Sequence, residues 1–415
     1  MSKVMSTEAP RHWDAETLRI HRAATVMLGY MNPAAWYRPE GLDFSRFAEE
    51  TGQQGSLPRL RRGGVDVIVL SHGVETEPTG VTPATLDRPA AARTQQPVFQ
   101  SGEQVRHLLR SLDGIRRVLD ANASEVGLAL TVADAERLNR EGRTAVFLHL
   151  TGAWIGGDLA ALRAYHQLGV RAIHPAIEGL RGVADAASDL AEANGLTPLG
   201  KEIVREMNRL RMVVDVSHAS DKSFWDILET SEQPVVASHS NSRLLCPIPR
   251  NLSDEQVKAL AQKGGVVGVH FASNFINFAF HQARRASGSM EAFAARLKEL
   301  HRQYPDPYAF LARRYDPATW QDIPPPYGTR EKGPELPRAT VAQLCEHLDR
   351  LVEVAGIDHV GIGSDYDLGD IVHGLHRADL LPNLTAELLR RGYAETDIRK
   401  LWGLNFLRVF RKILG

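Results

Sequence analysis

Three polar side chains stand directly after apolar, β-branched runs. Val213-Val214-Asp215-Val216-Ser217-His218 and Val235-Val236-Ala237-Ser238-His239-Ser240 both lead into an imidazole, and Gly361-Ile362-Gly363-Ser364-Asp365 ends in a carboxylate. Barrel enzymes put their chemistry at the C-terminal ends of strands, and neutral histidine nitrogen is a good ligand for a divalent cation. His218 and His239, on successive strands, can converge on one ion. Asp365 can join them or exchange a proton with a water. Any one of the 16 histidines of this chain reads first as a structural or surface residue; three such groups at three strand ends point to a metal or acid–base site.

The elements that must position these groups form a longer series. Apolar runs at 25–28, 65–70, 145–150, 171–174, 212–216, 235–237, 266–271 and 360–362 are separated by stretches with apolar residues at three- and four-residue spacing, among them 102–121, 157–168, 197–210, 220–231, 254–263 and 340–355. Runs without alternation read as strands buried on both faces, as parallel strands are. Ser253 before Asp254 is an N-cap candidate and Gly264-Gly265 a stop signal. Alternation of strand and helix over eight units predicts an α/β chain folded as a single (β/α)8 TIM-type barrel over 1–415, with 1–20 as an N-terminal extension. The segments 75–101 and 275–337 break the rhythm and read as long βα loops on the catalytic face, serving as lid, interface or surface decoration.

With 49 Lys+Arg against 50 Asp+Glu, the net charge of -1 gives no electrostatic reason to expect nucleic acid or an anionic membrane as partner, so a small-molecule substrate is the expectation. Cys246 and Cys345, the two cysteines, form no disulfide framework and no Cys-x-x-Cys motif. The first residues are polar and acidic, unlike a signal peptide, and no apolar run approaches the ~18 residues of a membrane span. A cytoplasmic location is expected.

Gly195-Leu196-Thr197-Pro198-Leu199-Gly200, Met207-Asn208-Arg209-Leu210, Val214-Asp215-Val216-Ser217-His218, Ala237-Ser238-His239-Ser240-Asn241-Ser242-Arg243, Pro249-Arg250-Asn251-Leu252 and Gly361-Ile362-Gly363-Ser364-Asp365-Tyr366-Asp367 together resemble the membrane (renal) dipeptidases of the amidohydrolase superfamily. The resemblance implies a barrel with a two-zinc site that hydrolyses dipeptides. It implies that His218 and His239 hold one zinc, that Asp365 touches the other and shuttles the proton, and that Arg243 receives the substrate carboxylate; a structural salt bridge is the alternative for Arg243.

Against the family pattern, Tyr30 and Asn32 stand where an imidazole and a carboxylate bind the second zinc, and Thr151 stands where a glutamate bridges the two ions. A phenol and an amide are poor zinc ligands at neutral pH. Tyr30 and Asn32 are therefore assigned to the substrate pocket. Ile177 falls at the place of a pocket histidine, with His174 and Glu178 close by in sequence. His149 precedes Thr151 by two positions, so alternation sends both to one face. It either joins His218 and His239 as a third nitrogen ligand or lies one layer deeper, hydrogen-bonded. His72 and His270 are further candidates. The expected protein is a dipeptidase-like hydrolase with one zinc, held by His218 and His239 with help from His149, Thr151 or Asp365. It would act on a dipeptide or N-acyl amino acid, with a homodimer as the possible assembly. The competing readings are a noncatalytic binding protein and a repurposed pathway enzyme with metal-independent chemistry.

Overall fold

The computed structural model describes residues 13–32, 54–73, 102–286 except 179, 181, 189, 190 and 192, and 338–415 except 368 and 369, with 295–296, 299–300, 302–304 and 313 between. Eight parallel strands close a barrel: β1 (Val26–Met31), β2 (Val65–Gly73), β4 (Thr144–Thr151), β5 (Val170–Ile173), β6 (Val213–Asp215), β7 (Val235–Ala237), β8 (Val266–His270) and β9 (Val360–Tyr366). Pairing of β2 with β4 and of β1 with β9 completes the ring. All eight expected apolar runs are these strands. A ninth, β3 (Val126–Leu128), has no counterpart among those runs: it pairs with the first half of β4 (Val126↔Thr144), leaving the second half to β5 (Leu148↔Val170). The segments 75–101 and most of 275–337, expected as long βα loops, lie outside the described residues.

Helices cover the barrel, and their ends follow local chemistry. Ser253 caps helix Asp254–Gln262 in a reciprocal capping box with Gln256, and Thr340 does the same for Val341–Ala355 with Gln343. The expected extension over 1–20 is partly body: Asp14 caps helix Ala15–Ala23, Trp13 Nε1 donates to Asn383 Oδ1 at 2.8 Å, and buried His21 bonds Thr385 Oγ1 and the Gly63 carbonyl.

The interior is stratified. Its lower end holds Met27, Val67, Ala145, Phe147, Val213, Val236 and Val266, closed by Phe406 and Phe410 of the C-terminal helix Asn405–Leu414. Phe406 enters because Gly29 and Gly361 lack side chains; a Cβ there would lie 2.5 and 2.7 Å from its ring. Above this apolar floor the inward positions turn polar, at Ser71 of β2, His149 of β4 and Asp215 of β6, with His174 directly after β5. In β1 the register shifts between Leu28 and Met31; such a bulge re-aims side chains, which lets Tyr30 point inward one residue after Gly29.

Asp66, beside the β1–β2 register pair, accepts the Val26 N–H at 2.8 Å. Burial pushes its carboxyl up to about 6, against that hydrogen bond. A native pKa raised above the unfolded one stabilises below the unfolded value, and the contribution is lost as pH rises through about 4 to 6. Asp66→Asn is therefore expected to be more stable than the parent at pH 8, by about 1–2 kcal/mol, with the gain vanishing by about pH 4; urea unfolding at several pH values measures it.

Candidate metal centre

The ends of β6 and β7 are tied together by one carboxylate. Asp215 Oδ1 accepts the Ser217 N–H (3.1 Å), the Ser217 hydroxyl (2.8 Å) and the Ser238 N–H (3.0 Å), and Ser217 Oγ accepts the His239 N–H (3.0 Å). This knot turns the chain after each strand so that the two imidazoles meet: His218 Nε2 and His239 Nε2 are 3.1 Å apart. Glu178 Oε2 lies 2.6 Å from His218 Nδ1, and Ser238 Oγ 2.7 Å from His239 Nδ1. Burial pushes Glu178 up, but His218 and Arg250 outweigh it and hold the carboxyl at about 2. An ionised Glu178 accepts, so His218 Nδ1 carries the hydrogen and its Nε2 offers a lone pair toward His239. Burial, then the charge of Arg250, lowers both imidazoles, His239 well below its ordinary value. Both are neutral at neutral pH, the form a cation needs.

Asp365, next to last in β9, lies in a left-handed backbone stretch, φ +69° at Ser364 and +64° at Asp365. Two consecutive non-glycine residues in that region mark stored strain of the kind found at functional sites. His270 Nδ1 accepts the Ala272 N–H at 2.9 Å, which leaves its hydrogen on Nε2, 3.0 Å from Asp365 Oδ2. Asp365 Oδ1 is buried with no hydrogen-bond partner. One ligand atom each from His239, His270 and Asp365 lies within 4.8 Å of the others, as is also true of His174, His218 and His239.

Tyr30 and Thr151 meet in the same chamber. The Tyr30 ring stacks on His239, centroids 3.8 Å apart at 17°, and its hydroxyl is 2.7 Å from Thr151 Oγ1. Thr151 Oγ1 continues to Ser71 Oγ (2.6 Å) and Ser71 to His149 Nδ1 (2.7 Å). Burial and the charge of Asp365 push the Tyr30 phenol above its ordinary value, so it stays protonated. At the positions expected for an imidazole and a bridging glutamate, this chain thus carries linked neutral hydroxyls. Asn32 follows β1 at the rim, its N–H donating to the Tyr366 carbonyl at 3.2 Å.

His149 lies one layer beneath Thr151, beside Asp215 and His174 instead of at the His218–His239 pair. His72 stacks on His107, centroids 6.0 Å apart. Arg243 is drawn away: it forms a two-pronged pair with Asp221 (2.8 and 2.6 Å) and donates to the carbonyls of Asn251 and Pro249. The guanidinium that faces the imidazoles is Arg250, 5% exposed, with Nη1 3.2 Å from Ser240 Oγ and Nη2 buried without a partner. It sits 5.7 Å over the Phe275 ring. Arg250, Asp215 and the role of Glu178 were missed from sequence. The available signal was Asp215 itself, a charge inside an otherwise apolar strand.

The sequence profile of the membrane dipeptidase family, Peptidase family M19, matches residues 15–414. An uncharacterised protein from the pqqA 5′ region of Klebsiella pneumoniae is 29% identical over 320 residues, covering 75% of this chain and 98% of that protein. Dipeptidase tcpJ of Claviceps purpurea (strain 20.1) is 28% identical over 312 residues, 74% of this chain but only 60% of that protein. The crystal structure of the probable dipeptidase PvdM from Pseudomonas aeruginosa superposes with a TM-score of 0.70 at 24% identity, covering 96% of this chain and 98% of that one. No described helix is long and apolar enough to cross a membrane.

Proposed function

Because the chain belongs to the membrane dipeptidase family, Peptidase family M19, we propose that it is a metal-dependent hydrolase cleaving the amide bond of a small carboxylate-bearing substrate, a dipeptide or N-acyl amino acid. The observation that carries the reading is the facing pair of neutral imidazole nitrogens, His218 Nε2 and His239 Nε2, 3.1 Å apart, beside a buried oxygen of Asp365 that has no partner. That separation is near the ~3.3 Å expected between two nitrogens at ~2.0–2.1 Å from one tetrahedral zinc. Glu178 behind His218 and Ser238 behind His239 are the outer partners such ligands use. The residues fit a single zinc at this pair. When bound, a divalent ion there supplies Lewis-acid polarisation of the scissile carbonyl and an acidified water.

The chain's own groups do the rest. Asp365 Oδ1 takes the proton from the attacking water and returns it to the leaving amine as the C–N bond breaks. His270 holds the other oxygen and so fixes the carboxylate's direction. The substrate's terminal carboxylate is received by Arg250, whose Nη2 is a buried donor without a partner; a planar guanidinium matches a carboxylate's two oxygens. The role expected of Arg243 thus falls to Arg250. Tyr30 buttresses His239, and Asn32 borders the pocket at the rim.

Arg243→Met is then expected to leave KM within about twofold and to cost only about 1 kcal/mol of stability, because the side chain of its partner Asp221 is 59% exposed and such pairs are weak; kinetics and urea unfolding of one preparation check both. The test of the function is a panel of dipeptides and N-acyl amino acids, assayed after chelation and after zinc or manganese add-back, with bound metal counted by elemental mass spectrometry. Turnover abolished by chelation and restored by the ion supports the reading. Turnover that persists in protein shown to be metal-free overturns it.

A further inference from the structure

Beneath the His218–His239 pair lies a second convergence of ligand atoms that the proposed hydrolysis does not use. His149 of β4, His174 after β5 and Asp215 of β6 are each 0–1% exposed. Asp215 Oδ2 lies 3.2 Å from His149 Nε2 and 2.9 Å from His174 Nε2, yet none of these three atoms makes a well-formed hydrogen bond. Three buried polar atoms in contact without a well-formed hydrogen bond among them are costly. The cost is avoided if all three point at a common partner between them. Ligands about 2.0–2.2 Å from one cation, at angles near 90–100°, are about 3 Å apart, the separation seen here.

We propose that His149 Nε2, His174 Nε2 and Asp215 Oδ2 form a deep, closed site for a transition-metal dication. The donor set is two imidazoles and a carboxylate, which suits Zn²⁺, Co²⁺, Mn²⁺ or Fe²⁺ over Mg²⁺ or Ca²⁺. Ser71 Oγ sits 2.7 Å from His149 Nδ1 and holds that ring from behind, while Asp215 Oδ1 takes three donors that lock the carboxylate. Tyr30 covers the layer from above, its ring 5.3 Å from His149 and 5.4 Å from His174, while the aromatic and aliphatic floor seals it from below. An ion here is out of reach of substrate. Its role is to weld β4, β5 and β6 at the level from which the knot at Asp215 sets His218 and His239.

The two sites adjoin through His174, but His149 belongs to the deep set and His218 with His239 to the upper one, so the two can be told apart on the full chain. The protein is equilibrated with Co²⁺ or Zn²⁺, freed of excess, and counted by elemental mass spectrometry, with Co²⁺ absorbance as a second readout. Two ions per chain are expected. His149→Gln should lose one and keep the other, and the double variant His218→Ala, His239→Ala should do the converse. A single ion lost in the double variant but retained in His149→Gln overturns the deep site and leaves the hydrolase reading standing. A single ion with the opposite pattern upholds the deep site and removes the upper one, and no ion at all overturns both. If His149→Gln does not fold, an anomalous difference map of Co²⁺-soaked wild-type crystals decides: a peak between His149, His174 and Asp215 supports the site, and its absence alongside a peak at His218 and His239 overturns it.

Discussion

Replacing Asp365 with asparagine is expected to lower kcat for a hydrolysed dipeptide by about 10²–10⁴-fold, the range that a positioned general acid–base group contributes. The substitution keeps shape and can still accept from His270 Nε2 through its oxygen. What it cannot do is take up a proton. KM and bound metal should therefore change little, so that the loss falls on kcat. The split matters because Asp365 sits within reach of His239 and His270 in a potential ligand set. If its role were only to hold an ion, metal content would fall in parallel with activity. A kcat within about threefold of the parent would remove Asp365 from the proton-transfer step altogether.

The architecture was legible because parallel barrel strands are covered on both faces, and a run such as Val65–Leu70 is apolar almost throughout, as a strand with no solvent face must be. β3 was not, since Val126-Gly127-Leu128 is too short to stand out and exists only because the first half of β4's edge is open to it. Within the site, His218 and His239 could be read from their place after strands. Depth could not: a period of two tells which face His149 shares with Thr151, not which layer each occupies, and the layer decides whether it meets His239 or Asp215. The choice between Arg243 and Arg250 was beyond sequence for a similar reason. The segment after β7 folds back on itself, with Leu252 N–H donating to the Asn241 carbonyl and Arg243 N–H to the Leu252 carbonyl. That return turns Arg243 outward to Asp221 and brings Arg250 over the imidazoles. Nothing in the spacing of two arginines along a loop encodes which of them faces in.

Arg250→Lys tests that difference directly. Lysine keeps the positive charge that offsets Glu178, Asp365 and Asp215, so the fold and the lowered imidazoles should survive. It loses the fixed fork that pairs with both oxygens of a carboxylate. Removing one partner of a buried, hydrogen-bonded charge pair typically costs about 2–5 kcal/mol; with charge retained, the lower end applies, and kcat/KM for a free dipeptide should fall about 30–100-fold, mainly through KM. The sharper readout is selectivity. Wild-type protein should prefer a dipeptide with a free terminal carboxylate over its C-terminal amide, and in Arg250→Lys that preference should shrink, because only the carboxylate substrate used the fork. Arg243→Met, assayed beside it, should keep the wild-type preference. Were the two outcomes exchanged, with selectivity lost at Arg243 and preserved at Arg250, the carboxylate would bind at the Asp221 edge and the chamber's free guanidinium nitrogen would have some other use.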